Sequence, residues 1–77
     1  METVVEPERT TASVAKVIEI TAESSESFED AVQNGIAKAA ETVHEIRSAS
    51  VESQQVKVAE GKVVAYRVDL KVTFGLD

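Results

Sequence analysis

The residues able to do chemistry in this 77-residue chain are few, and their types exclude most catalysis. There is no Cys, a single His at position 44, and three isolated Gly. Without Cys, disulfides and thiolate metal sites are ruled out, and one imidazole cannot build a His-rich zinc site. Isolated Gly form no loop to cradle a phosphate. No Ser stands in a recognisable arrangement with His and an acid for nucleophilic attack. Adjacent carboxylates such as Glu29 and Asp30 diverge on a helix instead of converging on one substrate. His44 reads as a solvated residue at a helix end, where the dipole favours a cation. The chain is therefore expected not to be an enzyme.

What remains is carboxylate. Fourteen Asp and Glu against eight Lys and Arg leave a net charge of −6. That balance argues against nucleic acid, which selects basic surfaces, and against anionic membranes. No apolar run approaches the ~20 residues of a membrane span. Two readings of the acidity stay open: solubility, or cation binding by clustered carboxylates. The first ten residues lack the apolar core of a signal peptide. Together with the absence of Cys, this gives a cytoplasmic expectation.

The scaffold that holds these groups follows from periodicity. Residues 1–12 carry three Glu and the only Pro, show no sustained period, and are expected to be a disordered arm. A neighbouring subunit ordering that arm is the alternative. Residues 14–20 are rich in β-branched side chains and read as a strand. Residues 21–27 read as a polar connection, with Ser24 and Ser25 as the expected helix caps. Glu26, Glu29 and Asp30 follow at the positive end of the helix dipole. Phe28, Val32, Ile36, Ala39, Ala40 and Val43 form one apolar stripe at helical period, which predicts a helix over 26–44. Gly35 inside it weakens the helix, and either permits a close backbone approach or is simply tolerated.

Residues 46–58 read as a long second strand, with a bulge or bend expected around 53–55, where the alternation falters. Glu60 and Gly61 supply a turn. Over 63–74 the alternation is strict. Val64, Tyr66, Val68, Leu70, Val72 and Phe74 share one face, and Arg67, Asp69, Lys71 and Thr73 share the other. The expected class is α+β: β-α-β-β, a three-stranded antiparallel sheet with one helix on its apolar face. Residues 13–77 make the single domain.

One helix cannot cover both faces of a sheet. On parity, Ser48, Ser50 and Glu52 join Arg67, Asp69, Lys71 and Thr73 on the uncovered face. That face is either simply wet, or packs on other copies and lines a ligand site. The length of the strands favours the second reading. A chain this small is marginal as a monomer, and with no disulfide or metal cluster to staple it, self-association is the expected source of stability.

Longer stretches carry a resemblance. SVAKVIEITAESSESFEDAVQNGIAKAAETV, IRSASVESQQVKV and EGKVVAYRVDLKVTFGLD together resemble the dodecin family over residues 13–77. The markers are VIEIT, SSESFEDA, IAKAAETV and YRVDLKVTF. The resemblance implies twelve copies in a hollow cage of tetrahedral symmetry, a homododecamer. It also implies a non-catalytic role, the binding and storage or buffering of riboflavin or FMN in pairs between subunits. In flavin-binding members a Trp on the second strand stacks on the isoalloxazine, and a Gln on the third bonds its polar edge. The Trp falls at Ser48, or in another branch at Ser50; the Gln falls at Arg67. A further site-facing position falls at Lys57. The chain has no Trp, so its stacking surface is missing. The resemblance thus implies a flavin site of Ser48, Ser50, Gln54, Lys57 and Arg67. The two Ser would line it, and the others would contact the ring edge or phosphate. Arg67 is planar enough to stack on or bond a flavin; the plainer reading is an ion pair with a neighbouring carboxylate.

The resemblance also carries an alternative function. Members lacking the Trp are associated with cations instead of flavin. Symmetry axes of such a cage would gather identical side chains, and a ring of Glu52, Asp69 or Glu19 would offer Ca²⁺ or Mg²⁺ oxygen ligands. In that reading the chain forms a flavin-free structural cage for cations or another small ligand.

Overall fold

A computed structural model describes residues 14–76 of the chain. Its elements are β1 (Ala15–Ser24), α1 (Phe28–Ala39), β2 (Ile46–Ala59) and β3 (Lys62–Gly75). The three strands form one antiparallel sheet in the order β1-β3-β2, with α1 on one face. This is the expected β-α-β-β architecture. The expected arm over 1–12 lies outside the described residues.

The strictly alternating segment becomes the central strand, because only a strand paired on both edges makes full use of a long apolar face. Val68, Leu70 and Val72 of β3 are fully buried beneath the helix. Burial of each such side chain is worth about 1.5–3 kcal/mol. Ile18, Ile20 and Ala22 of β1 pack beside them, with Phe28, Val32 and Ile36 of α1 above. Phe28 also meets Tyr66 edge to face, with ring centroids 5.1 Å apart.

The line of closest contact is made of small residues. Ala31, Gly35 and Ala39, spaced four apart, are the buried residues of α1. Phe28, Val32 and Ile36 flank that line and are only partly buried. A Cβ placed on Gly35 would lie 3.1 Å from the Ala22 Cβ and 3.2 Å from the Leu70 Cδ1. Of the two readings of Gly35, the close approach is the one realised. Ala40 is exposed and lies past the end of the helix, and so does Val43.

Three boundaries differ from expectation. The polar stretch 21–24 does not connect; it continues β1, because β3 extends far enough to pair Thr21 with Asp69 and Ser24 with Tyr66. The helix is shorter than 26–44, covering Phe28–Ala39, and its cap is Ser27. Ser27 Oγ accepts from the Asp30 backbone N–H at 2.9 Å. Ser24 is instead buried at the end of β1, where its hydroxyl donates to Asp30 Oδ2 at 2.6 Å and accepts from the Glu26 N–H at 2.8 Å. Ser25 is exposed. The shorter helix leaves His44 exposed in the connection to β2, beyond the reach of the helix dipole.

The β2–β3 hairpin closes through Glu60 (φ 53°) and Gly61 (φ 76°), both left-handed, as a two-residue primed turn requires. The expected irregularity in β2 is present slightly earlier in the chain. Register shifts fall between Ile46 and Ser48, between Val51 and Ser53, and between Lys57 and Val58. The middle shift makes Glu52 an extra residue, and this decides which side chains share the face away from the helix.

Candidate functional site

Cross-strand partners in an antiparallel pair project from the same side of the sheet. On the face away from α1, β3 presents Arg67, Asp69, Lys71 and Thr73. Opposite them on β1 stand Glu23, Thr21, Glu19 and Val17. Opposite them on β2 stand Gln55, Ser53, Ser50 and Ser48. Lys57 is paired with Ala65 on the same face.

Four of the five residues implied for a flavin site, Ser48, Ser50, Lys57 and Arg67, therefore share this face. Gln54 does not. It is paired with Val68 and projects from the helix side of the sheet, while Gln55 takes the place opposite Arg67. The cause is the bulge at Glu52: one inserted residue exchanges the two faces for everything that follows it. Parity counted from Ser48 holds only as far as Val51.

Asp69 is the centre of the face. Its Oδ1 accepts from Thr21 Oγ1 at 2.9 Å and its Oδ2 from Ser53 Oγ at 2.6 Å, so strands on both sides are tied to the central one. These bonds, Ser53 first and then Thr21, hold the Asp69 carboxyl below its ordinary pKa; partial desolvation opposes them, and the nearby Arg67 charge adds to them. Asp69 is thus an oriented, ionised carboxylate at neutral pH. Glu52, pushed out by the bulge, accepts from Ser50 Oγ at 2.6 Å through its Oε2. Glu19, Glu52 and Asp69 line one shallow pocket of about 430 Å³ with Thr21, Ser53 and Lys71. These are the three carboxylates singled out for cation binding.

Two cations of this face, Lys57 and Arg67, are engaged within the chain. Lys57 Nζ reaches Glu23 Oε2 at 3.2 Å. Arg67 Nε lies 3.9 Å from Asp69 Oδ1, the ion pair of the plainer reading. That pair is long and half-exposed, a geometry that contributes little to stability. The Arg67 Nε atom is buried and donates no hydrogen bond. Among the described residues no three His, Cys, Asp or Glu side chains lie close enough together to hold a metal ion. The pocket offers hard oxygen donors but, within one chain, an incomplete coordination shell.

No aromatic ring stands on this face. Phe28 and Tyr66 engage each other on the helix side, and Phe74, paired with Lys16 and Ile46, projects from that side as well. The side chains of this face that sequence reasoning missed are Thr21, Glu23, Ser53 and Gln55. Thr21 and Glu23 keep the in-out alternation of the preceding strand, which was a usable signal. Ser53 and Gln55 carried none, because the exact position of the bulge sets their face.

The helix packs on β1 and β3, and the helix-side surface of β2 is left open. Val51 and Val56 there are 44% and 42% exposed, and Val58, Val63 and Val64 at the hairpin end are 61%, 49% and 48% exposed. Val14, Val17 and Leu76, toward the other end of the sheet, are more than half exposed. No helix among the described residues is long and apolar enough to cross a membrane.

Comparison with known proteins agrees with this architecture. The profile of the Dodecin family matches residues 14–77. A Mycobacterium tuberculosis protein named calcium dodecin is 37% identical over 62 residues, covering 80% of this chain and 87% of its own. Its crystal structure, described as having a calcium-binding site, superposes with a TM-score of 0.73, covering 83% of this chain and 91% of its own. The dodecin from Streptomyces davaonensis superposes with a TM-score of 0.82 at 29% identity, covering 86% and 97%. A variant of the Thermus thermophilus dodecin gives 0.82 at 30% identity, covering 86% and 98%.

Proposed function

The chain belongs to the dodecin family, and from that premise we propose that it is a non-catalytic subunit of a hollow homododecamer that binds a divalent cation, Ca²⁺ before Mg²⁺, on the polar face of its sheet. The observation that carries this reading is the Asp69 carboxylate, held by two hydroxyls in one pocket with Glu19 and Glu52. Ca²⁺ takes six to eight oxygen ligands in loose geometry, whereas Mg²⁺ demands a tight octahedron. Carboxylates and hydroxyls spread over three strands suit the larger ion. One chain supplies too few ligands, so the shell is completed by another copy across an interface. Lys71, on the rim of the pocket, is a built-in competitor for the carboxylates. The name of the Mycobacterium tuberculosis relative supports the choice of ion.

Assembly is supported by the open valine surfaces. Exposed apolar side chains lie along β2 and the hairpin end, and again toward the opposite end of the sheet. A two-fold dimer buries one self-complementary patch; burying two separated patches takes either a head-to-tail ring contact or two kinds of contact, and both build closed assemblies larger than a dimer. About a dozen copies of 8.3 kDa would give a particle of roughly 100 kDa.

Calcium titration by calorimetry, on protein stripped with chelator and sized by light scattering, tests this reading. Saturable binding to a ~100 kDa particle is expected, with at least a tenfold loss in the Asp69→Asn variant at unchanged particle size. Unchanged affinity in that variant would remove Asp69 from the site. A stable 8.3 kDa species in dilute solution would end the cage reading.

A flavin reading is kept on one observation: the buried Arg67 Nε, on the face shared by Ser48 and Ser50, has an unused donor. Riboflavin or FMN would take that donor at its ring edge, with Lys57 nearby for a phosphate. The missing ring weakens this reading, since each aromatic stack adds about 0.5–1.5 kcal/mol beyond area burial. Quenching of riboflavin fluorescence on titration would establish it; a colourless oligomer that leaves riboflavin unquenched would remove it. Localisation in the cytoplasm remains part of the proposal, resting on the absence of Cys.

A further inference from the structure

We draw no further inference here: the strongest candidate, the apolar groove of about 570 Å³ between α1 and the free edge of β1, lined by Ile18, Ile20, Ala22, Gly35, Ala39 and Val43, is an unpartnered face for which nothing in the structure shows what covers it.

Discussion

Replacing Gly35 by Ala sets two opposed effects against each other at the point where helix and sheet come closest. In an exposed helix the change would stabilise by about 0.8–1 kcal/mol, because Gly loses more backbone freedom on folding. Here the added Cβ would stand 3.1 Å from the Ala22 Cβ, 3.2 Å from the Leu70 Cδ1 and 3.5 Å from the Ile20 Cδ1. Leu70 and Ile20 can turn at their tips. The Ala22 Cβ cannot, since it is fixed to the backbone of β1, which is hydrogen-bonded to the central strand opposite Val68. The helix must therefore lift by a few tenths of an ångström, and overpacking of this kind costs about 1–3 kcal/mol. The net expectation is a loss of up to about 2 kcal/mol. The assay is urea unfolding followed by circular dichroism at fixed protein concentration, because assembly makes apparent stability depend on concentration. The companion variant Ala22→Gly removes the obstructing atom at a cost of its own to the strand, so the double variant should lose less than the two single losses added together, a coupling of about 0.5 kcal/mol or more. A Gly35→Ala protein more stable than the parent, or a double variant with no coupling between the two positions, would refute the claim that the Ala31–Gly35–Ala39 line seats the helix. The consequence reaches the polar face, because β1 carries Glu19, Thr21 and Glu23 on its other side.

Three further outcomes are expected. Ser27→Ala removes the acceptor of the Asp30 N–H and should cost about 1 kcal/mol in the same unfolding assay, whereas Ser25→Ala should be close to neutral. Ser48→Trp adds a ring to the polar face; on the flavin reading, riboflavin affinity by fluorescence quenching should rise about tenfold, and no rise would mean that the missing ring is not what limits flavin binding. The Asp69 carboxyl lies below its ordinary pKa, so its hydrogen bonds stabilise the fold fully above the unfolded value, about pH 4, and that contribution is lost as pH falls through the lowered folded value. Ser53→Ala should accordingly raise the Asp69 pKa in a carboxyl NMR titration, and the stability gap between variant and parent should narrow on acidification; a gap independent of pH would show that Ser53 acts by packing alone.

Much of the architecture was legible because its signals are local. The strict alternation over 63–74 can satisfy only a strand with one buried face, and its buried trio Val68, Leu70 and Val72 follows directly from period two. Glu60-Gly61 announced its turn because left-handed backbone is cheap at Gly. The helix was visible from Phe28, Val32 and Ile36, although these turn out to flank the contact. Its centre consists of Ala31, Gly35 and Ala39, residues whose small size matters only once a sheet is pressed against them. Similarly, Thr21, Glu23 and Ser24 look like connection until β3 is long enough to pair with them.

The site divides in the same way. Composition and period alone settle the inventory: an excess of carboxylates, no thiol, no indole, and Asp69 on the outward parity of the third strand. Which of these groups meet depends on strand pairing. A single extra residue at Glu52 carries Gln54 to the helix side, brings Ser53 and Gln55 to the polar face, and turns Glu52 into the pocket with Glu19 and Asp69. Side-chain direction in a strand alternates with every residue, so where the inserted residue falls is settled by pairing with a distant strand, and nothing within the local run of Ser, Gln and Val could specify it.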